Sequence, residues 1–157
     1  MNELSFTVLE GKQQSELLRV TKLEMVETRD CFYDIKYNTI AFFTSEFLNQ
    51  ILRNESNNSA LYKEIINLKT NLNQSYYLSH YFFMIKMLVI LGIAPLTSQG
   101  KYLNLEKGIF EEEKSNATTD EETAYLWKEI LKTENFINFR ADNVMKKKLL
   151  DSILIYF

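Results

Sequence analysis

The fold is decided by residues 76–96, which read YYLSHYFFMIKMLVILGIAPL. Apolar side chains lie on nearly every side of a helix drawn through this stretch, and Gly92 and Pro95 mark its end. The stretch therefore predicts a central helix over 76–93, with Ser75 as its N-cap. A membrane span needs about 20 apolar residues, and this run is shorter and contains Lys86. The sequence therefore predicts a helix buried in a protein core.

Four more helices are expected around this central one. Leucine and isoleucine recur at helical spacing before it, and a second set recurs after it. A capping box over 119–122 marks one of the later starts. A short hairpin, with strands near 102–105 and 109–111, lies between the two sets. The four helices are predicted to begin near residues 34, 59, 119 and 142.

A second hairpin is predicted at the beginning of the chain. Residues 5–10 and 17–26 alternate in the manner of strands, and the polar segment 11–16 joins them. This alternation places Val20 on one face of the second strand and Met25 on the other. Two strands alone are marginally stable, so the sheet looks incomplete. The fold class is mostly α, a helical bundle preceded by a β-hairpin, with residues 1–30 forming the hairpin unit and 31–157 the helical domain.

The composition narrows the class of protein. The 157 residues contain only 4 glycines and 1 proline, against roughly 19 at average usage, which favours helix. Cys31 is the only cysteine and His80 the only histidine, so cysteine-based zinc sites and sites needing two imidazoles are excluded. The first residues lack the pattern of a signal peptide, which favours a cytoplasmic protein. The net charge of −3 means that any DNA-binding surface must be local.

The sequence offers little for catalysis. It contains no GxSxG, HExxH, GxGxxG or GxxxxGK[ST] motif. His80 has aromatic residues and Met84 at one-turn spacing, which indicates packing. We therefore expect no enzyme, no cofactor and no bound metal, and an enzyme built around His80 is the least favoured reading.

Basic residues are the better indication of function. Lys146, Lys147 and Lys148 are consecutive, but successive helical residues point about 100° apart. Joined by Arg140 and by Lys128 or Lys132 they form a local basic face, although a solvated helix exterior is the competing reading. The first hairpin contributes further cations, including Lys12 in its turn. The candidate nucleic-acid-binding residues are Arg19, Lys22, Lys132, Arg140, Lys146, Lys147 and Lys148.

Four segments together resemble a known family. They are GKQQSELLRVTKLEMVE (11–27), MIKMLVILGIAPL (84–96), KYLNLEKGIFEEE (101–113) and LLDSILIYF (149–157). In order and spacing they resemble the DNA repair protein RecO, in the zinc-free form known from the Bacteroidetes group. The resemblance implies that the first hairpin is the last part of an OB-fold sheet and that this chain is a piece of a longer protein. The family's four-cysteine motif has no counterpart in residues 96–110, so no zinc is expected.

The resemblance also implies a function. Members of the family mediate recombinational repair without catalysis: they bind single- and double-stranded DNA, anneal strands and load recombinase together with RecR. They also bind the acidic, apolar C-terminal tail of single-stranded-DNA-binding protein, which requires an apolar notch beside a cation. Such notches are expected at Phe82 or Phe83 with Lys86, and at Phe139 with Arg140. The alternative is a helical protein-interaction domain that never contacts DNA.

Overall fold

The computed structural model describes residues 4–9, 19–26, 34–52, 58–96, 99–133 and 141–157. Among the residues singled out from the sequence, Lys12, Cys31, Phe139 and Arg140 lie outside these ranges. The described elements, in chain order, are β1 (Leu4–Leu9), β2 (Arg19–Met25), α1 (Ile35–Ile51), α2 (Ser59–Asn73), α3 (Ser79–Ile90), β3 (Tyr102–Asn104), β4 (Ile109–Glu111), α4 (Glu121–Lys132) and α5 (Asn143–Tyr156). The predicted fold class, mostly helical with one leading and one internal hairpin, is confirmed.

The central helix α3 is the most deeply buried of the described elements. Eight of its residues are buried, and Met84, Met87 and Leu88 are fully enclosed. It ends at Ile90 and not at the predicted residue 93, but Gly92 forms the predicted stop. Gly92 has a φ of 72°, its N–H donates to the Val89 carbonyl, and the Ile93 N–H donates to the Leu88 carbonyl, both at 3.0 Å. This pair of bonds is a Schellman motif. None of the helices in the described part of the chain has the length and apolar character that a membrane crossing requires.

The beginning of α3 differs from the prediction. The helix starts at Ser79, three residues later than expected, and its cap residue Leu78 makes no side-chain cap bond. Ser75 is not a cap, because its backbone has a φ of 63°. The Ser75 N–H instead donates to the Leu72 carbonyl at 2.9 Å, in the turn that ends α2.

The other four helices in the described ranges are capped by short polar side chains. Asp34, Asn58, Asp120 and Asp142 each accept a hydrogen bond from a backbone N–H in the first turn, which satisfies donors that a helix leaves free at its start. The predicted capping box over 119–122 is wrong in detail. Asp120 caps α4 by accepting from the Thr123 N–H at 2.8 Å, whereas the hydroxyl of Thr119 accepts from the Leu103 N–H at 3.4 Å and so belongs to β3.

Trp127 joins α4 to α5. Its side chain is 0 % exposed, its indole N–H donates to the Ser152 hydroxyl at 2.8 Å, and its ring lies 5.5 Å from that of Tyr156. Lys148, in the middle of α5, bonds to Asp120, the cap residue of α4, at 2.7 Å. These contacts hold α4 and α5 together.

The leading hairpin carries one apolar face. β1 pairs antiparallel with β2, with Leu4 opposite Met25 and Val8 opposite Val20. The register shifts between Ser5 and Thr7, where Lys22 has a φ of 52°, so β2 contains a bulge. A bulge inserts one residue and moves all later side chains to the other face. Val20 and Met25 therefore share one face with Leu4 and Val8, which corrects the predicted alternation.

The internal hairpin packs closely on its surroundings. Leu103 pairs with Phe110, and both side chains are buried. Gly100 lies so near β4 that a Cβ atom on it would be 2.5 Å from the Phe110 carbonyl carbon. The ammonium of Lys128 donates to the Gly100 carbonyl and lies 4.7 Å from the Phe110 ring centroid. These contacts fix the hairpin against α4.

Candidate nucleic-acid and partner interface

The predicted basic residues fall in separate places. Lys22 is exposed at the bulge of β2, and Arg19 pairs with Leu9 at the other end of that strand. Lys132 is exposed at the last residue of α4, and Lys147 is exposed on α5. No ion pair to Lys22, Lys132 or Lys147 is found within the described ranges.

Lys148 differs from its neighbours because it is already paired. Its ammonium lies 2.7 Å from the Asp120 carboxylate, which raises the pKa of Lys148. Burial raises the pKa of Asp120, but the bonds from Lys148 and Thr123 outweigh it and lower that pKa to about 2. The pair therefore stays charged at neutral pH, and Lys148 has less charge to offer an incoming phosphate than Lys147 has.

The lysines of α4 and α5 do not form one compact patch. α4 has 12 residues and spans about 18 Å, with Asp120 and Lys148 at its beginning and Lys132 at its end. Lys128, considered as a member of the basic face, is half-buried and points to the Gly100 carbonyl instead. Lys132 therefore lies at the far end of α4 from the Asp120–Lys148 pair.

The predicted notch at Phe82 or Phe83 beside Lys86 needs correction, whereas the one at Phe139 and Arg140 lies outside the described residues. Phe82 and Phe83 are 6 % and 3 % exposed, because α3 is apolar on almost all sides and lies in the core. Their rings are part of that core and do not line an open notch beside Lys86.

An aliphatic surface lies next to Lys86 instead. Val89, one turn further along α3, is 47 % exposed and Ile93 is 49 % exposed. The Ile93 backbone is held by the Schellman turn and by the Tyr156 hydroxyl, which donates to its carbonyl at 2.6 Å. Lys86 is partly exposed, and no anionic partner for it is found within the described ranges. We call Lys86, Val89 and Ile93 the α3 notch; the spacing of Val89 three residues after Lys86 was the signal that sequence reasoning missed.

His80 occupies a packing position. Its Nδ1 contacts the Tyr77 carbonyl, its ring centroid lies 4.1 Å from that of Tyr81, and Phe43 meets it edge-on at 6.5 Å. Burial lowers the pKa of His80, so the imidazole is neutral at pH 7. Nearby, the Tyr77 hydroxyl donates to Asp34 at 2.5 Å, which ties α1 to the start of α3.

A shallow cleft lies where α4 and α5 begin. Its volume is about 690 Å³, and we call it the α4–α5 cleft. Tyr125, 59 % exposed, and the partly exposed Met145 supply apolar surface. The lining residues are Asp120, Glu121, Glu122, Tyr125, Met145 and Lys148. In the described part of the chain, no group of three potential ligands is placed to hold a metal ion.

The described helices thus present exposed cations, the exposed residues of the α3 notch and the α4–α5 cleft. The chain belongs to the RecO family: residues 33–157 match the family described as Recombination protein O C terminal. The recombination and repair role expected from the sequence is thereby supported at the level of the family. Neither the curated proteins nor the solved structures gave a significant match. The OB-fold assignment of the hairpin and the likeness to the Bacteroidetes form stay predictions.

Proposed function

We propose that this protein is a non-catalytic mediator of recombinational DNA repair, which binds single- and double-stranded DNA, promotes annealing and helps load recombinase together with RecR. The observation that carries the proposal is the family match over residues 33–157. The exposed lysines supply a physical means, since each ammonium that contacts a phosphate releases a counterion and so strengthens binding at low salt.

The paired and unpaired lysines of α5 allow a matched test of DNA binding. Lys147→Ala is expected to weaken binding to single-stranded DNA and to reduce the slope of log affinity against log salt by about 0.7, which is one phosphate contact. Lys148→Ala is expected to change the slope less, because Asp120 already neutralises that ammonium. Fluorescence anisotropy with a labelled oligonucleotide, at 50 to 200 mM salt, measures both slopes. A larger change for Lys148→Ala would contradict this use of α5.

The α3 notch has the chemistry needed for the tail of single-stranded-DNA-binding protein. Val89 and Ile93 offer exposed apolar surface, and the Lys86 ammonium carries the charge that attracts an acidic peptide. We infer that the tail's terminal apolar side chain packs on Val89 and Ile93 while its carboxylates face Lys86. The notch thus replaces the predicted one at Phe82 and Phe83.

A charge reversal tests this notch. Lys86→Glu is expected to weaken binding of a labelled tail peptide by about tenfold or more, because one favourable charge interaction becomes a repulsion. Lys63→Glu is the matched control: Lys63 is exposed on α2, so the same change of net charge should have only a small effect. Equal losses in the two variants would show that the peptide responds to overall charge and not to the notch.

A second candidate function is a helical interaction domain that never contacts DNA. It is favoured by the net charge of −3 and by the exposed apolar face of the hairpin, where Leu4, Phe6 and Met25 are each more than half exposed. Salt dependence separates the two functions, since apolar docking does not weaken steeply with salt as phosphate binding does.

A further inference from the structure

The α4–α5 cleft has the wrong charge for DNA and for an acidic tail. Its one lysine, Lys148, is paired with Asp120 at 2.7 Å. Glu121 and Glu122 are both exposed, and no ion pair to either of them is found within the described ranges. The carboxylates outnumber the cation, so the potential over the cleft repels phosphates and attracts positively charged groups.

The same cleft exposes apolar surface that the fold itself does not require. Tyr125 is 59 % exposed, whereas Ala124 and Leu126 beside it are buried. Tyrosines in this situation are frequent anchors in protein interfaces, because they offer a rigid ring and a hydroxyl together. Met145 lines the same cleft from α5 and can adapt its shape to a bound side chain.

The helix start explains only part of this arrangement. Carboxylates in the first turn of α4 are favoured by the helix dipole, which accounts for Glu121 and Glu122 but not for an exposed ring one turn further along. The lining combines the apolar surface of Tyr125 and Met145 with the carboxylates of Glu121 and Glu122, and this combination complements a segment that has apolar and basic residues in turn.

We propose that the α4–α5 cleft binds a basic segment of a partner protein. An apolar side chain of that segment packs between Tyr125 and Met145, and its lysine or arginine side chains pair with Glu121 and Glu122. The α4–α5 cleft shares no residue with the α3 notch. It would bind a positively charged partner, whereas DNA and the tail of single-stranded-DNA-binding protein are negatively charged.

A fluorescein-labelled peptide of sequence Lys-Arg-Leu-Trp-Arg-Lys serves as the probe, with the full chain and with anisotropy as the readout. The double variant Glu121→Lys/Glu122→Lys is expected to weaken binding by tenfold or more, and Tyr125→Ala by a similar factor. Glu112→Lys/Glu113→Lys is the matched control, since these exposed carboxylates do not line the cleft; its affinity should change less than threefold. An equal loss in the control, or no binding by the unaltered chain at low salt, would overturn the proposal.

Labelled methionine methyl groups locate the bound peptide. The Met145 methyl resonance is expected to shift on titration with the peptide, while those of Met84 and Met87, both 0 % exposed in the core, stay in place. An unshifted Met145 resonance would overturn the proposal even if the peptide binds. The Glu121→Lys/Glu122→Lys variant should bind DNA at least as well as the unaltered chain, so loss of peptide binding is distinguishable from failure of the proposed repair function.

Discussion

Trp127→Ala is expected to lower the free energy of unfolding by about 3–5 kcal/mol. The indole is 0 % exposed, its N–H bonds to the Ser152 hydroxyl at 2.8 Å, and its ring contacts Tyr156. Alanine would leave a cavity between α4 and α5 and would deprive Ser152 of its donor. Urea unfolding followed by circular dichroism measures the change, because Trp127 is the only tryptophan of the sequence and the variant would have no tryptophan fluorescence to follow.

Tyr125→Ala is the matched control on the same helix. It removes an aromatic side chain two residues away, but that side chain is 59 % exposed, so we expect a change of less than about 0.5 kcal/mol. Similar losses for the two variants would mean that the α4–α5 packing does not depend on the indole. Trp127→Phe should fall between them, because it keeps most of the ring but not the N–H.

Gly100→Ala is expected to cost about 3 kcal/mol, the upper part of the range for overpacking. The added Cβ would lie 2.5 Å from the Phe110 carbonyl carbon and 2.6 Å from the Glu111 nitrogen. Both are backbone atoms of β4, so neither can move aside as a flexible side chain would. Thermal and urea unfolding of the variant measure the loss.

Gly92→Ala is the control that separates the steric clash at Gly100 from the cost of replacing any glycine. Gly92 has nothing within 4 Å of an added Cβ, and its cost comes only from the left-handed backbone, about 1–2 kcal/mol. If Gly92→Ala were as destabilising as Gly100→Ala, the close approach to β4 would not explain the effect.

Four of the described helices were predictable because each has a repeating apolar pattern and a polar cap, and α3 was predictable because it is apolar on nearly every side and ends at Gly92. What could not be predicted depends on contacts distant in sequence. The bulge at Lys22 moves Met25 to the face of Val20, and nothing in the local alternation announces it. Thr119 bonds to Leu103 across the internal hairpin, so Asp120 becomes the cap of α4 in its place.

The candidate surfaces were harder to foresee than the fold. The sequence predicts a notch at Phe82 or Phe83 with Lys86, but both rings are buried in the core. Whether a side chain of α3 is buried depends on which faces of the helix the neighbouring elements cover. They cover Phe82 and Phe83 and leave Val89 exposed. Lys148 likewise looked equivalent to Lys147 until its pairing with Asp120, 28 residues earlier, distinguished them.

The central claim, that this RecO-family chain binds nucleic acid through dispersed lysines, is tested most directly by a salt titration of the unaltered protein on single-stranded DNA. With three phosphate contacts the slope of log affinity against log salt should be about −2. Binding should therefore weaken by roughly 20-fold between 50 and 200 mM salt. No binding at 50 mM salt, or an affinity that does not change with salt, would contradict the account.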